Sequence, residues 1–417
     1  MMHMITVPLL LLATLPVLGA PDIPTARDVS VERNVPTPRD TLTNEQLRHL
    51  VSHEASAAYS KQRVISPPMA IAVRQEHPDG PRYQEAETYT FLMHSMKFAG
   101  VARLGSGRLI LVSSAWLSNP EKYEPSIFTM HSDDEGQSWT QPKVIHRGYE
   151  RPEPVSLGAN KLMLMPRDDP GFLCFSDDGG ETWSEKKPFP TMPDGSIANR
   201  HGTILVEGQT HTGVFTNRNY GSVIRRSRDG GHTWTEAIRL PPQWGASEGA
   251  LARARDGALV VSLRTGPEED LESFNDHWRR IRLARSMDDG MTWTDHQVHF
   301  RYGKVHTEMI TLRNGDILLT YAARMGELEG KMYHGIEAVL SHDNGKTWDW
   351  DKRFILFRWA MHQSMHSPVS LELSDGRIMT VFLYHYDAPW NEGSYSSHVL
   401  GITSAVFWSP YPHEKSN

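Results

Sequence analysis

One eight-residue pattern, Ser-x-Asp-x-Gly-x-Thr/Ser-Trp, is written five times along the chain. The copies are SDDEGQSW from Ser132, SDDGGETW from Ser176, SRDGGHTW from Ser227, SMDDGMTW from Ser286 and SHDNGKTW from Ser341. A short polar turn that recurs in this way restricts the fold to an array of similar supersecondary units. The chemistry of each copy suits a tight turn: Asp and Ser bond the turn backbone, Gly takes a positive φ, and Trp packs on the adjoining strands. Alternating apolar stretches such as SIFTMHS before Asp134 and IEAVLSH before Asp343 read as the strands that enter it. Asp134, Asp178, Asp229, Asp288 and Asp343 are therefore assigned to structure, not to catalysis.

A second periodic signal lies between these turns. Six segments read as strand, turn, strand: VARLGSGRLILV, VSLGANKLMLM, TILVEGQTHTGVF, ALARARDGALVVSL, ITLRNGDILLTY and SLELSDGRIMTVF. Their Asp-Gly and Asn-Gly pairs are strong hairpin signals. The turns recur about every 50 residues, roughly one four-stranded propeller blade. Six inner hairpins and five outer turns predict an all-β, six-bladed β-propeller of four-stranded antiparallel blades over residues 61–417. The sixth blade, from about residue 365 to 408, lacks the Asp turn, and RVISPPMAIAVRQ is expected to supply its missing strand. A short helix is expected over TNEQLRHLVSHEASAAYS, with Thr43 as cap and Gln46 three residues on, within a polar leader of residues 21–60.

Composition narrows the partners. Net charge is -7 with a pI near 6.3, and no run of Lys and Arg is present, so no nucleic-acid partner is expected. Residues 5–18, ITVPLLLLATLPVL, are too short to span a bilayer and are followed by Gly19 and Ala20. Residues 1–20 are read as a signal peptide, which predicts a secreted or periplasmic protein with no membrane span. Cys174, the single cysteine, sits in GFLCFS and reads as a buried core thiol.

These repeats resemble those of the sialidase (neuraminidase) superfamily, six-bladed propellers with Asp-box or BNR turns, over roughly residues 95–408. The resemblance implies a Tyr nucleophile with a Glu partner, an Asp acid/base and three Arg residues that clamp a substrate carboxylate, an exception to two-carboxylate glycosidases. In the fourth blade, GASEGALARARDGALVVSLR carries Glu248 and Arg264 where the family keeps its Glu and second Arg. In the fifth, Arg324 stands where the third Arg is expected. The first blade departs: Phe98-Ala99-Gly100-Val101 replaces Phe-Arg-Ile-Pro, so the first Arg is missing, and Glu121 and Glu124 are weak substitutes for the acid/base. The sixth departs as well, with Met365-His366-Ser367 where the Tyr is expected; Tyr302, Tyr384 and Tyr386 are other phenols, none at the matching position.

The starts of the inner strands should ring the funnel. They hold Arg151 and Glu153, Arg200 and His201, Glu248, His306 and Glu308, and His362 and His366. Histidine titrates near neutrality and serves as acid or base, and a carboxylate beside it orients its ring. Glu248, His366, His306 and His201 are the catalytic candidates. Arg264, Arg324, Arg200, Glu153, Glu308 and His362 are the substrate-binding ones, with Trp116, Trp244, Trp278 and Trp390 as rim aromatics for sugar stacking. No cofactor is called for, and no short ligand spacing supports a metal at His201, His306 and His366. Three readings stand: an exported sialidase-type glycoside hydrolase on terminal acidic sugars with an altered nucleophile, a lyase on uronate glycans using His and Arg, and a non-catalytic glycan-binding or assembly propeller. The retained Glu248 and Arg264 favour the first.

Overall fold

Two strands precede the first blade: β1 (Met69–Gln75) and β2 (Arg82–Leu92). Blade one is β3 (Ala99–Arg103), β4 (Leu109–Asn119), β5 (Lys122–Ser132) and β6 (Lys143–Arg147). Blade two is β7 (Pro154–Ser156), β8 (Leu162–Leu164), β9 (Phe172–Ser176) and β10 (Lys187–Pro188). Blade three is β11 (Arg200–Glu207), β12 (Thr210–Asn217), β13 (Gly221–Ser227) and β14 (Ile238–Arg239). Blade four is β15 (Gly249–Arg253), β16 (Leu259–Thr265), β17 (Arg280–Ser286) and β18 (Gln297–Val298). Blade five is β19 (Lys304–Thr311), β20 (Ile317–Leu328), β21 (Lys331–Ser341) and β22 (Phe354–Trp359), and the last three strands are β23 (His366–Glu372), β24 (Ile378–Tyr386) and β25 (Leu400–Trp408). The computed structural model describes residues 69–411 except 93–98, 120–121, 148–152, 166–171, 197, 199, 218–220, 236, 242–248, 266–279, 295–296, 299–302, 329–330, 360–365 and 387–399. The signal peptide, the leader and the helix expected before residue 61 lie outside the described residues.

Each blade pairs its strands in chain order, antiparallel throughout, and the sixth is completed from the N-terminal side in the order β23-β24-β25-β2. The closing strand is Arg82–Leu92, with Glu87 opposite Phe407. This corrects the expectation that RVISPPMAIAVRQ would supply it: the described part of that segment, β1, is a fifth strand that pairs with β2 and reaches across to β22 of blade five. Helical structure among the described residues is one 3-10 turn, Trp350–Lys352, and no helix there is long and apolar enough to cross a membrane.

Propeller strands are covered on both faces, which is why β16 (LVVSLRT) is buried along its whole length. Six large apolar clusters follow, one in each seam between neighbouring blades. Leu251 and Val261 of blade four meet Val214 and Ile224 of blade three, while Val260 and Ile281 meet Met309 and Val339 of blade five. The seam between blades one and two is so close that a Cβ on Gly100 would lie 2.4 Å from Pro154 Cδ.

The Asp turns join the third strand to the fourth, as expected, and each is cross-braced. In the second copy the Gly180 amide donates to Ser176 Oγ at 2.8 Å, the Thr182 amide to Asp178 Oδ1 at 2.9 Å, and Trp183 Nε1 to the Gly180 carbonyl at 3.1 Å. The same turn also seals a seam. A Cβ on Gly136, Gly180, Gly231, Gly290 or Gly345 would fall 2.5–2.9 Å from Met379, Ile110, Met163, Ile224 or Val260, in each case on the preceding blade. Five turns thus close five seams. The sixth seam, between blades five and six, has no such turn. It is closed by β1, whose Val73 is fully buried in that core, and by the C-terminal segment, where Ser409 exchanges two hydrogen bonds with Gln84 and Tyr411 Oη donates to Asp316.

Candidate active site

Antiparallel alternation sends the start of every inner strand and the end of every second strand to one face. The Asp turns and inner hairpins lie at the other. Among the described residues, Arg200, His201, His306, His366, Arg264 and Arg324 lie in the strand segments at the first of these faces, the mouth of the propeller.

Three inner strands are irregular at their starts. β11 gains one residue between His201 and Ile204, β19 between Val305 and Glu308, and β23 between His366 and Val369. An extra residue in one strand bends it and re-aims its side chains, a device common beside binding and catalytic sites. The register also corrects the expected equivalence of the three histidines. His201 and His366 occupy the last paired position before their bulges, opposite Phe215 and Leu383, whereas Val305 holds that position in blade five and His306 is the bulged residue. His306 is 5% exposed and has a φ of 53°. That backbone is uncommon for a residue with a Cβ and persists only where its surroundings hold it.

Glu308 is half-buried and accepts a hydrogen bond from Thr203 Oγ1 at 2.8 Å, so inner strands of blades five and three are tied together. Thr307 accepts from Ser262 Oγ of blade four at 2.7 Å. Arg264 lies near the end of β16, opposite Ile281 and next to Leu263, which pairs with Gly249. Arg264 is buried, at 5% exposure. Glu153, half-buried, precedes β7, and its carbonyl accepts from the Met165 amide at 3.1 Å. Arg200 and His201 lie in β11, His366 in β23 and Arg324 in β20. Trp116, Glu124, Tyr384 and Tyr386 lie in strands as well. Glu248, His362, Arg151, Glu121, Tyr302, Trp244, Trp278 and Trp390 lie outside the described residues.

The residue reading missed a charged network running through blade five from the inner strand outward. Lys304 Nζ donates to Glu337 Oε1 at 2.8 Å, Tyr321 Oη donates to Glu337 Oε2 at 2.7 Å, and Arg353 Nε stands 3.6 Å from the same oxygen. Glu337 is fully buried. The available signal was a single charge in an alternating apolar strand, IEAVLS, since a buried carboxylate requires partners.

The other titratable groups behave as scaffold. The Thr182 hydroxyl and amide hold the Asp178 carboxyl down to about 2, and Thr292 does the same for Asp288, also about 2. Burial pushes the Cys174 thiol up to about 12, which leaves no thiolate for chemistry. Among the described residues no three His, Cys, Asp or Glu side chains converge as metal ligands would.

The profile of the BNR/Asp-box repeat matches residues 175–185, the second turn. The sialidase of Clostridium perfringens is 25% identical over 167 residues, which are 38% of this chain and 36% of that one. Among solved structures, the K499G mutant of NanB sialidase from Streptococcus pneumoniae superposes with a TM-score of 0.52 at 12% identity, covering 76% of this chain and 68% of that one. This is a sialidase-like Asp-box propeller. An α-L-arabinanase from Penicillium chrysogenum, solved with arabinobiose, shares the fold at a TM-score of 0.51 and 13% identity, covering 81% and 98%. The likeness of this sialidase-like propeller to solved structures is one of fold, and the chain spans less than half the length of the curated relatives it matches.

Proposed function

We propose that this chain is an exported glycoside hydrolase that removes a terminal acidic sugar from a glycan at the mouth of the propeller. The observation that carries the reading is the set of three bulges at the starts of β11, β19 and β23, each beside a histidine, on the face where β15 begins; Glu248 is the residue before β15 in sequence. The relatives named as sialidases support the same class. In this proposal Glu248 is the central carboxylate, and His201, His306 and His366 are the proton-transfer candidates that stand in for the missing Tyr and Asp. Arg264, Arg324 and Arg200 neutralise the substrate carboxylate, because charge-assisted bonds from a guanidinium are among the strongest polar contacts. Glu153, Glu308 and His362 contact sugar hydroxyls.

The test is a product assay of the mature chain on α-sialosides and uronate oligosaccharides. Release of a sugar carrying one added water supports hydrolysis. A product without that water, absorbing in the ultraviolet, replaces the hydrolase with a lyase that uses His306 or a neighbouring histidine as base. No product from any member of the panel returns the chain to a binding propeller. With hydrolysis in hand, Glu248→Gln is expected to abolish turnover at an unchanged melting temperature. Export is tested by the N-terminus of the protein recovered from its producing cell, which should begin near residue 21.

A further inference from the structure

The outer ends of the seams, on the face away from the mouth, differ in how they are filled. At four seams the residue just before the turn Ser on one blade and the residue just after the turn Gly on the next hold corresponding positions in the repeat. Between blades two and three, His232 stacks on Phe175 with ring centroids 4.1 Å apart, and Lys187 Nζ reaches His232 at 3.1 Å. Between blades one and two the corresponding residues are His131 and Glu181, and Lys143 pairs with Glu181 at 2.8 Å. Between blades three and four they are Arg226 and Met291, and Arg226 donates across the seam to the Asp289 carbonyl. Between blades four and five they are Arg285 and Lys346, two cations.

Arg285 is already paired with Asp256, and Lys346 is exposed. This seam holds an open cavity of about 400 Å³, lined by Leu283, Ala284 and Trp348 on its apolar side and by Arg285, Thr294 and Lys346 on its polar side. Arg285 is anchored by Asp256 and by the Asn344 carbonyl, which accepts from Nε at 3.1 Å. Its Nη1 and the Lys346 ammonium make no hydrogen bond or ion pair among the described residues. The cavity thus combines the Lys346 ammonium and the remaining Arg285 donor, whose charge Asp256 shares, with an aromatic and aliphatic lining. The volume is at the small end of ligand pockets and has room for a single sugar ring.

We propose that this cavity is a second glycan site, separate from the mouth, that holds a uronate unit with its carboxylate between Arg285 and Lys346 and its ring against Trp348. The choice of an acidic sugar rests on the reading of the funnel; the cavity and its charge do not. A site on the opposite face anchors a distant unit of the same polymer and raises the effective concentration of chain ends at the mouth.

The test is a titration of the full chain with galacturonate, an oligogalacturonate and galactose, read by tryptophan fluorescence and calorimetry. Galacturonate is expected to bind and galactose not; Lys346→Glu should weaken galacturonate binding at least tenfold. Thr294→Trp, which fills the cavity from its exposed side, should do the same, with the melting temperature of each variant checked. A tighter oligogalacturonate than monosaccharide, with both weakened by Lys346→Glu, supports a polymer anchor; equal binding of the two assigns a site for free uronate instead. Galactose binding as well as galacturonate overturns the carboxylate assignment. Binding that survives both substitutions but is lost in Arg324→Ala belongs to the mouth and overturns the outer site. These readouts need no turnover, so an inactive chain would sink the hydrolase reading and leave this one standing.

Discussion

Thr203 of blade three donates to the Glu308 carboxylate of blade five at 2.8 Å, although a whole blade stands between them in sequence. The intervening inner strand, β15, begins Gly249-Ala250. Thr203→Val is expected to cost about 1–2 kcal/mol, the loss from leaving a half-buried charged acceptor short of one donor. Glu308→Gln, which keeps an acceptor oxygen, should cost less than Glu308→Ala. Denaturant titration of the three variants and of the Thr203→Val/Glu308→Ala double mutant checks this. Additive losses would show that the bond contributes nothing to stability.

The Asp turns make the opposite prediction from the mouth: large effects on stability and small ones on activity. Asp178 accepts from the amides of Glu181 and Thr182 and from the Ser176 and Thr182 hydroxyls. Asp178→Ala should therefore lower stability by about 1–3 kcal/mol. Its carboxyl is held down to about 2 from an ordinary 3.8, so its contribution is complete above about pH 4 and is lost as pH falls toward 2. Unfolding followed at pH 7, 4 and 2.5 should show the gap between wild type and Asp178→Ala narrowing in acid. A gap independent of pH would separate the turn's stability from the ionised carboxylate.

The turns were legible because their chemistry is local: Ser176, Asp178, Gly180 and Trp183 contact one another within eight residues, and spacing alone reveals them. Their second role was not legible, since the contact of Gly180 with Ile110 depends on which blade comes before. The same limit separates His306 from His201 and His366. Three histidines at strand starts look equivalent in sequence, and a one-residue difference in bulge placement offsets one of them. The closing strand was misplaced for a related reason: β1 (MAIAVRQ) is the more apolar of the two N-terminal strands and β2 (RYQEAETYTFL) the more polar, and the choice between them is made by pairing with β25, more than 300 residues away.

Lys304 and Glu337 form a pair that should be costly to break and cheap to replace. Glu337 is fully buried and Lys304 nearly so, with Tyr321 and Arg353 supplying further contacts. Removing the ammonium in Lys304→Met leaves the carboxylate short of a partner in a low-dielectric interior and should cost roughly 3–5 kcal/mol. Glu337→Gln alone removes the negative charge opposite the Lys304 ammonium and should be similarly damaging. Lys304→Met with Glu337→Leu removes both charges and should recover most of the loss, as read by denaturant unfolding. A double variant no better than the singles would mean that Arg353 and Tyr321 depend on the carboxylate as much as Lys304 does.

The seam between blades five and six is the one place where ring closure rests on segments distant in sequence instead of on an Asp turn. Val73 is fully buried in the core cluster that includes Leu356 and Phe382, and β1 touches β22 through two paired residues plus the Glu76 amide on the Arg353 carbonyl at 2.8 Å. On the far side Tyr411 Oη donates to Asp316, which also accepts from Asn314 and pairs with His342 at 2.8 Å. Burial and the Asp316 carboxylate raise the Tyr411 phenol, keeping it protonated as a donor. Val73→Asp places an unpaired charge in the seam and is expected to destabilise by roughly 4 kcal/mol or more. Tyr411→Phe, which removes one hydrogen bond at the surface, should cost about 1 kcal/mol. Hydrogen exchange locates the effect: amides of β1, β2 and β22 should lose protection first in both variants, while those of β16 in blade four keep theirs. Uniform loss of protection around the ring would show that the sixth seam is no weaker than the five closed by Asp turns.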